Sequence, residues 1–230
     1  MKIKVRKKSY ADVCALPQQL HHKPHKPNIF FRTLLRVASI PDLWAVRFRV
    51  KKIGMEKLRK NEPCLFLMNH SSFVDLEIAA TVLYPRAFNI VCMADAFIGK
   101  NWLMKQLGCI STNKFVTDSR LVRDMMHALH KQNSSVLMFP EAGYSLDGTA
   151  TLLPNTLGKC LKLLRVPVVM IRTYGAFARD PLYNGLQKRK TRVTADMTYL
   201  LSPKEIGEKS VDELNAILRD RFSFDNFRWQ

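Results

Sequence analysis

The sequence predicts an α/β fold: a mostly parallel central sheet with flanking helices, plus an N-terminal amphipathic helical hairpin. Three observations predict it. From about residue 64, short apolar runs of strand length alternate with helix-periodic segments. The short runs are apolar at nearly every position, as in strands covered on both faces. Two polar clusters follow directly on such runs, where open α/β sheets gather their functional residues. With 230 residues, 47% of them apolar, the chain has enough material for a sizeable core and does not read as disordered.

The elements follow in order. "MKIKVRKKSY" at the start is basic but has no apolar stretch behind it, so it does not read as a secretory signal. Residues 17–28, "PQQLHHKPHKPN", hold three prolines and no periodicity and read as an exposed linker. Their three histidines have no fixed geometry, and no metal site is predicted. Residues 29–50 read as two short amphipathic helices joined by a bend at Pro41, with an aromatic and basic mix that suits a lipid–water interface. The predicted boundary therefore falls at residue 50: a basic arm with membrane-associating helices over 1–50, and the α/β domain over 51–230.

In that domain "CLFLM" (64–68), "FNIVCM" (88–93), "SVLMF" (135–139) and "VPVVMI" (166–171) are predicted strands, and a short strand precedes Lys114. "VDLEIAATVLY" (74–84), "NWLMKQLG" (101–108, ending at Gly108), "TDSRLVRDMMHALHKQ" (117–132, capped by Thr117 or Asp118) and "TLGKCLKLL" (156–164) are predicted helices. "RKTRVTADMTYL" (189–200) alternates like a partly exposed strand. "SVDELNAILRDRF" (210–222) opens with a Ser210/Glu213 capping box. The aromatic-rich "SFDNFRWQ" at the end points to an incomplete domain edge or a partner surface.

Charge and cysteines narrow the class. The net charge is +18, and residues 1–60 hold 16 Lys or Arg against Asp12, Asp42 and Glu56. Such a field attracts an anionic membrane surface or a polyanion. Zinc spacing, an RRM signature and a clear helix-turn-helix are all missing from the sequence, so nucleic acid is the weaker partner. No stretch reaches the roughly 18 apolar residues of a membrane span. Cys14, Cys64, Cys92, Cys109 and Cys160 form no CxxC pair and read as reduced core thiols of a cytosolic protein.

Two stretches carry chemistry. In "NHSSFVD" (69–75), His70 and Asp75 follow a strand. Five residues are roughly 140° net around an ideal helix, so the two meet only if His70 precedes the helix and the loop folds back. An aspartate on Nδ1 would then leave Nε2 as a base. The competing reading is a plain helix N-terminus, capped by Asn69, Ser71 or Ser72, with Asp75 near the dipole. In "FPEAGYSLDG" (139–148), Glu141 sits at a strand end, and Ala142, Gly143 and Ser145 are small enough for close backbone approach to a ligand. Arg172 and Tyr174 follow the 166–171 strand.

These stretches together resemble the glycerolipid acyltransferases of the lysophosphatidate (1-acylglycerol-3-phosphate) type. The histidine-four-residues-aspartate block is "NHSSFVD". "GCISTNK" (108–114) is similar to the second block, "FPEAGYS" (139–145) to the third, usually FPEGTRS, and "VPVVMI" to the fourth. The resemblance covers about residues 50–200. It implies acyl transfer from acyl-CoA or acyl carrier protein to a hydroxyl of a lysophospholipid, foremost 1-acylglycerol-3-phosphate. His70 is then the general base and Asp75 its orienting partner; Glu141, Gly143, Tyr144, Lys114 and Arg172 are the implied substrate-binding residues. No cofactor and no metal are implied. The expected location is the cytoplasmic, inner face of a membrane, held peripherally. One departure stands out: Tyr144 occupies the place of an arginine that grips the acceptor phosphate, and a tyrosine cannot neutralise phosphate. Lys114 or Arg172 is the expected replacement, or the acceptor is not a phosphate monoester. The rival functions are a basic nucleic-acid-binding protein, a hydrolase pairing His70 with a serine, and an inactive lipid-binding scaffold of the same fold.

Overall fold

The computed structural model describes residues 23–97, 99–112, 119–182 and 189–223. Lys114, Thr117, Asp118, Cys14 and the terminal run after Ser223 lie outside the described residues, as does the basic arm over 1–22.

The first described helix, α1 (Ile29–Ala45), is capped by Asn28, whose side chain accepts from the Phe30 amide at 2.8 Å. It runs through Pro41 without a break, which corrects the expected bend and the pair of short helices. Proline lacks the amide that would bond the Val37 carbonyl, and Val37 lies on the exposed side of the helix, so the missing bond falls toward solvent. Leu43 and Ser39 are buried, and packing against the next helix holds the rod together. The helix ends at Arg47, in the left-handed region at φ 50°, where the Phe48 amide reaches back to the Leu43 carbonyl and the Arg47 amide to that of Trp44. The chain then enters strand β1 (Arg49–Ile53), where the sequence reading continues the second helix.

The remaining strands are β2 (Leu65–Met68), β3 (Phe88–Met93), β4 (Cys109–Thr112), β5 (Ser135–Met138), β6 (Val168–Tyr174) and β7 (Thr194–Leu201). They form one seven-stranded sheet in the order β1-β7-β6-β2-β5-β3-β4. All pairings are parallel except β6 with β7. The helices between are α2 (Val74–Val82), α3 (Asn101–Gln106), α4 (Ser119–Met126), α5 (Leu157–Leu164), α6 (Ala176–Arg179), α7 (Pro203–Glu208) and α8 (Val211–Phe222). A π-helical turn over His127–Lys131 extends α4. The expected Ser210/Glu213 capping box opens α8, and a second one, Ser202/Glu205, opens α7.

The central strands separate two cores by simple alternation. Leu65, Leu67, Val168 and Met170 face α4, α5 and α8. Phe66, Met68, Val169 and Ile171 face α1 and α2. This two-sided burial explains why these strands are apolar at nearly every position. Strand β1, "RVKKI", is an exposed edge, and its charged side chains discourage pairing with another chain.

Residues 23–28 depart from the expected free linker. Pro24 and Pro27 are buried, the Asn28 amide bonds the Gln106 carbonyl at 3.0 Å, and Asn89 Nδ2 bonds the His25 carbonyl at 2.7 Å. Among the described residues Cys64, Cys109 and Cys160 are free thiols. Burial pushes Cys64 up to about 12 and Cys160 to about 11, which keeps both as inert thiols.

Candidate active site

The C-terminal ends of β2, β5 and β6 lie side by side, and the loops leaving them build the site. After Met68 the chain turns through Asn69–Phe73 before α2 begins at Val74. His70 therefore precedes the helix while Asp75 occupies its first turn, the arrangement that lets two residues five apart meet. His70 Nδ1 lies 3.1 Å from Asp75 Oδ2. The same oxygen accepts the amides of Ser71 at 2.6 Å and Ser72 at 2.9 Å, while Oδ1 accepts Thr173 Oγ1 at 3.3 Å. Asp75 is completely buried. Because Oδ2 already accepts two amides, it acts as an acceptor toward His70 as well. Nδ1 therefore carries the ring proton, and Nε2 is left with its lone pair. Asp75 thus binds the amides at the helix start and also hydrogen-bonds the histidine ring.

Asn69 secures this loop to β6. Its Nδ2 donates to the Thr173 carbonyl at 3.3 Å and to Thr173 Oγ1 at 3.1 Å, and its Oδ1 accepts the Thr173 amide at 2.7 Å. Thr173 is missing from the residues singled out in the sequence. Its signal is parity: it follows Val169 and Ile171 on the face of the sheet that carries α2. By the same parity Arg172 points to the other face. There its Nη1 approaches the Arg221 carbonyl near the end of α8 at 3.5 Å, and its guanidinium carbon lies 6.0 Å from the Tyr174 ring. The Tyr174 hydroxyl bonds Asp196 across the β6–β7 pair at 3.4 Å. Arg172 and Tyr174 are thus separated by the sheet from the His70–Asp75 pair.

The loop after β5 closes over the imidazole. Phe139 stacks on one side of the His70 ring at 3.8 Å between centroids, and Tyr144 on the other at 3.7 Å. Phe73 meets Tyr144 edge-on at 5.4 Å. The Ser145 amide donates to the His70 carbonyl at 2.7 Å, tying the two loops together. Ala142 sits at φ 55°, where only glycine is unstrained, and Gly143 borders open space. Glu141 accepts the Thr151 hydroxyl at 3.2 Å and the Thr151 amide at 3.3 Å through Oε2. Its Oε1 is buried and makes no hydrogen bond of good geometry among the described residues. Burial raises the pKa of this carboxyl. Hydrogen bonding from Thr151 and from the His70 backbone amide acts against the rise, and the charge of Asp75 adds to it. The structure therefore gathers His70, Asp75, Glu141, Gly143 and Tyr144 at one edge, with Thr173, Asn69 and Phe139 as supports that the sequence reading did not assign to a site.

The crystal structure of the 1-acyl-sn-glycerophosphate (LPA) acyltransferase PlsC from Thermotoga maritima has the same fold. It superposes with a TM-score of 0.62 at 18% identity, over 84% of this chain and 77% of that chain. The family described as Acyltransferase matches residues 49–171, a stretch that contains His70, Asp75, Glu141, Gly143 and Tyr144 and stops one residue short of Arg172. That match spans more than half of the sequence, and the chain belongs to the acyltransferase family.

Proposed function

We propose that the protein transfers a fatty acyl group from an acyl thioester, acyl-CoA or acyl carrier protein, to a hydroxyl of a lysophospholipid, the resemblance naming 1-acylglycerol-3-phosphate as the first acceptor to assay. The observation that carries this reading is the His70–Asp75 pair at the sheet edge, with Nδ1 fixed and Nε2 available. Nε2 takes the proton of the acceptor hydroxyl as its oxygen attacks the thioester carbonyl carbon. The tetrahedral intermediate collapses, the C–S bond breaks, and the thiolate leaves and recovers the proton from the imidazolium. Asp75 holds the ring and stabilises its charged form. The amides of Ser71 and Ser72 are engaged by Asp75, so the oxyanion is held by donors other than these. The chemistry needs neither a covalent acyl-enzyme nor a metal.

The same reading places the enzyme on an anionic membrane surface. Phe30, Leu34, Val37 and Trp44 fall on one stripe of α1 and are exposed, Trp44 by 83%, and the exposed Trp102 of α3 lies beside Phe31 at 5.5 Å. An apolar stripe with indole rings, on a chain of net charge +18, fits the boundary between head groups and acyl chains. Among the described residues no helix is long and apolar enough to cross a membrane.

Purified protein given radiolabelled acyl-CoA or acyl carrier protein and a panel of lysolipids tests the reaction. His70→Ala is expected to lower transfer by about 10³-fold while leaving the circular dichroism spectrum unchanged. Equal turnover by the variant, or release of the acyl group to water alone, would sink the assignment.

A further inference from the structure

We propose that the acceptor bound beside His70 carries a zwitterionic, amine-bearing head group rather than a phosphate monoester, and that Tyr144 sets this preference. The inference rests on the acyl-transfer reading and names its acceptor class.

Three features of the site converge on it. First, the surfaces flanking the base are aromatic. Tyr144 and Phe139 sandwich the imidazole, with centroids 3.7 and 3.8 Å away, and Phe73 stands edge-on to Tyr144. Aromatic faces carry negative potential that attracts an ammonium and offers nothing to a phosphate dianion.

Second, the carboxylate of the β5 loop is unfinished. Oε1 of Glu141 is buried and makes no hydrogen bond of good geometry, the His70 amide only reaching toward the carboxyl, while Oε2 is held by Thr151. The charge that acts on Glu141 is that of Asp75, another acid. A phosphate dianion brought alongside these two carboxylates is repelled. An ammonium offers this under-bonded carboxyl a well-aligned, charge-assisted hydrogen bond.

Third, the arginine of the neighbouring strand β6 is committed elsewhere. Arg172 reaches toward the Arg221 carbonyl on the opposite face of the sheet. The position where the family pattern places a phosphate-gripping arginine is filled by a ring packed flat on the base. Tyr144 thus places π surface rather than positive charge against His70, one residue from Gly143, which borders open space.

The test uses the full chain, one acyl-CoA donor, and three acceptors in neutral detergent micelles. These are 1-acyl lysophosphatidylethanolamine, 1-acyl lysophosphatidylcholine and 1-acylglycerol-3-phosphate. The better zwitterionic acceptor is expected to exceed 1-acylglycerol-3-phosphate in kcat/KM by about tenfold or more. Tyr144→Arg is expected to invert that ratio, and Tyr144→Phe, which keeps the ring, to preserve it. Preference of the unaltered protein for 1-acylglycerol-3-phosphate would overturn the inference. So would a ratio unmoved by Tyr144→Arg in a variant with unchanged circular dichroism. If that variant does not fold, the preferences of the unaltered protein and of Tyr144→Phe decide.

Calorimetric binding of short-chain forms of the same three lysolipids makes the comparison without turnover. Tighter binding of a zwitterionic form, with no acyl transfer to any acceptor, would remove the acyl-transfer reading and leave the head-group preference standing. Tighter binding of the phosphate monoester would remove the preference whatever the turnover.

Discussion

The loops leaving β2 and β5 lie against each other and are built on opposite plans. In the β2 loop both oxygens of Asp75 are bonded, to His70, the amides of Ser71 and Ser72, and Thr173. In the β5 loop Glu141 keeps a buried oxygen without a hydrogen bond of good geometry, Ala142 sits in the left-handed region, and Gly143 adjoins open space. One loop is satisfied internally and holds its histidine in one orientation. The other is less completely bonded and borders open space. The two segments are joined through the Ser145–His70 backbone bond and the ring of Tyr144; in the proposed reaction the first would carry reactivity and the second recognition.

The comparison breaks most severely at Asp75. Asp75→Ala removes the shared acceptor and leaves the Ser71 and Ser72 amides buried without a partner. It is expected to cost about 3 kcal/mol in urea unfolding, along with nearly all transfer activity. Thr173→Val keeps the shape but removes the hydroxyl that donates to Asp75 Oδ1. The expected loss is about 1.5 kcal/mol, read by the same unfolding, with a several-fold fall in kcat.

Glu77 sharpens the contrast because it lies two residues past Asp75 on α2 and is poorly satisfied. Its Oε2 is buried without a partner among the described residues. Burial first, and Asp42 of α1 second, push its carboxyl up to about 7. The folded protein therefore retains a proton that the unfolded chain releases near the ordinary glutamate range, about 4.3. The resulting penalty is absent below that range, grows as pH rises toward 7, and is constant above. With the side chain half-exposed and screened, we expect about 1 kcal/mol. Glu77→Gln should raise stability by that amount at pH 8 and leave it unchanged at pH 4. A gain at pH 4 equal to that at pH 8 would show that the carboxylate charge is not the cause. Ala142→Gly, the mildest change, relieves the left-handed strain and is expected to add about 0.5 kcal/mol to the melting free energy.

Which parts of this were legible in the sequence follows from the range of the interactions. "FNIVCM" marks β3 to the residue, because a short, mostly apolar run of strand length is a local signal that needs no knowledge of its neighbours. The Ser210/Glu213 cap is equally local. Strand β1 was not legible, since "RVKKI" is a charged edge whose identity comes from pairing with β7, about 145 residues onward. Pro41 misled for the same reason: local propensity says bend, and packing on α2 overrides it. In the site, His70, Asp75 and Glu141 declared themselves by residue type at strand ends. Thr173 did not, because it is an ordinary strand residue whose role lies in a contact spanning 104 positions, and the more conspicuous Arg172 and Tyr174 beside it point the other way.

That long contact also bears on the order in which the chain matures. The Asn69–Thr173 bonds lock the β2 loop only after β6 has docked, so the segment containing His70 and Asp75 emerges from the ribosome about a hundred residues before its last support exists. Regain of activity during refolding should accordingly lag behind regain of helical signal. A chain halted before residue 173 would hold both members of the pair without the Thr173 contacts that fix them.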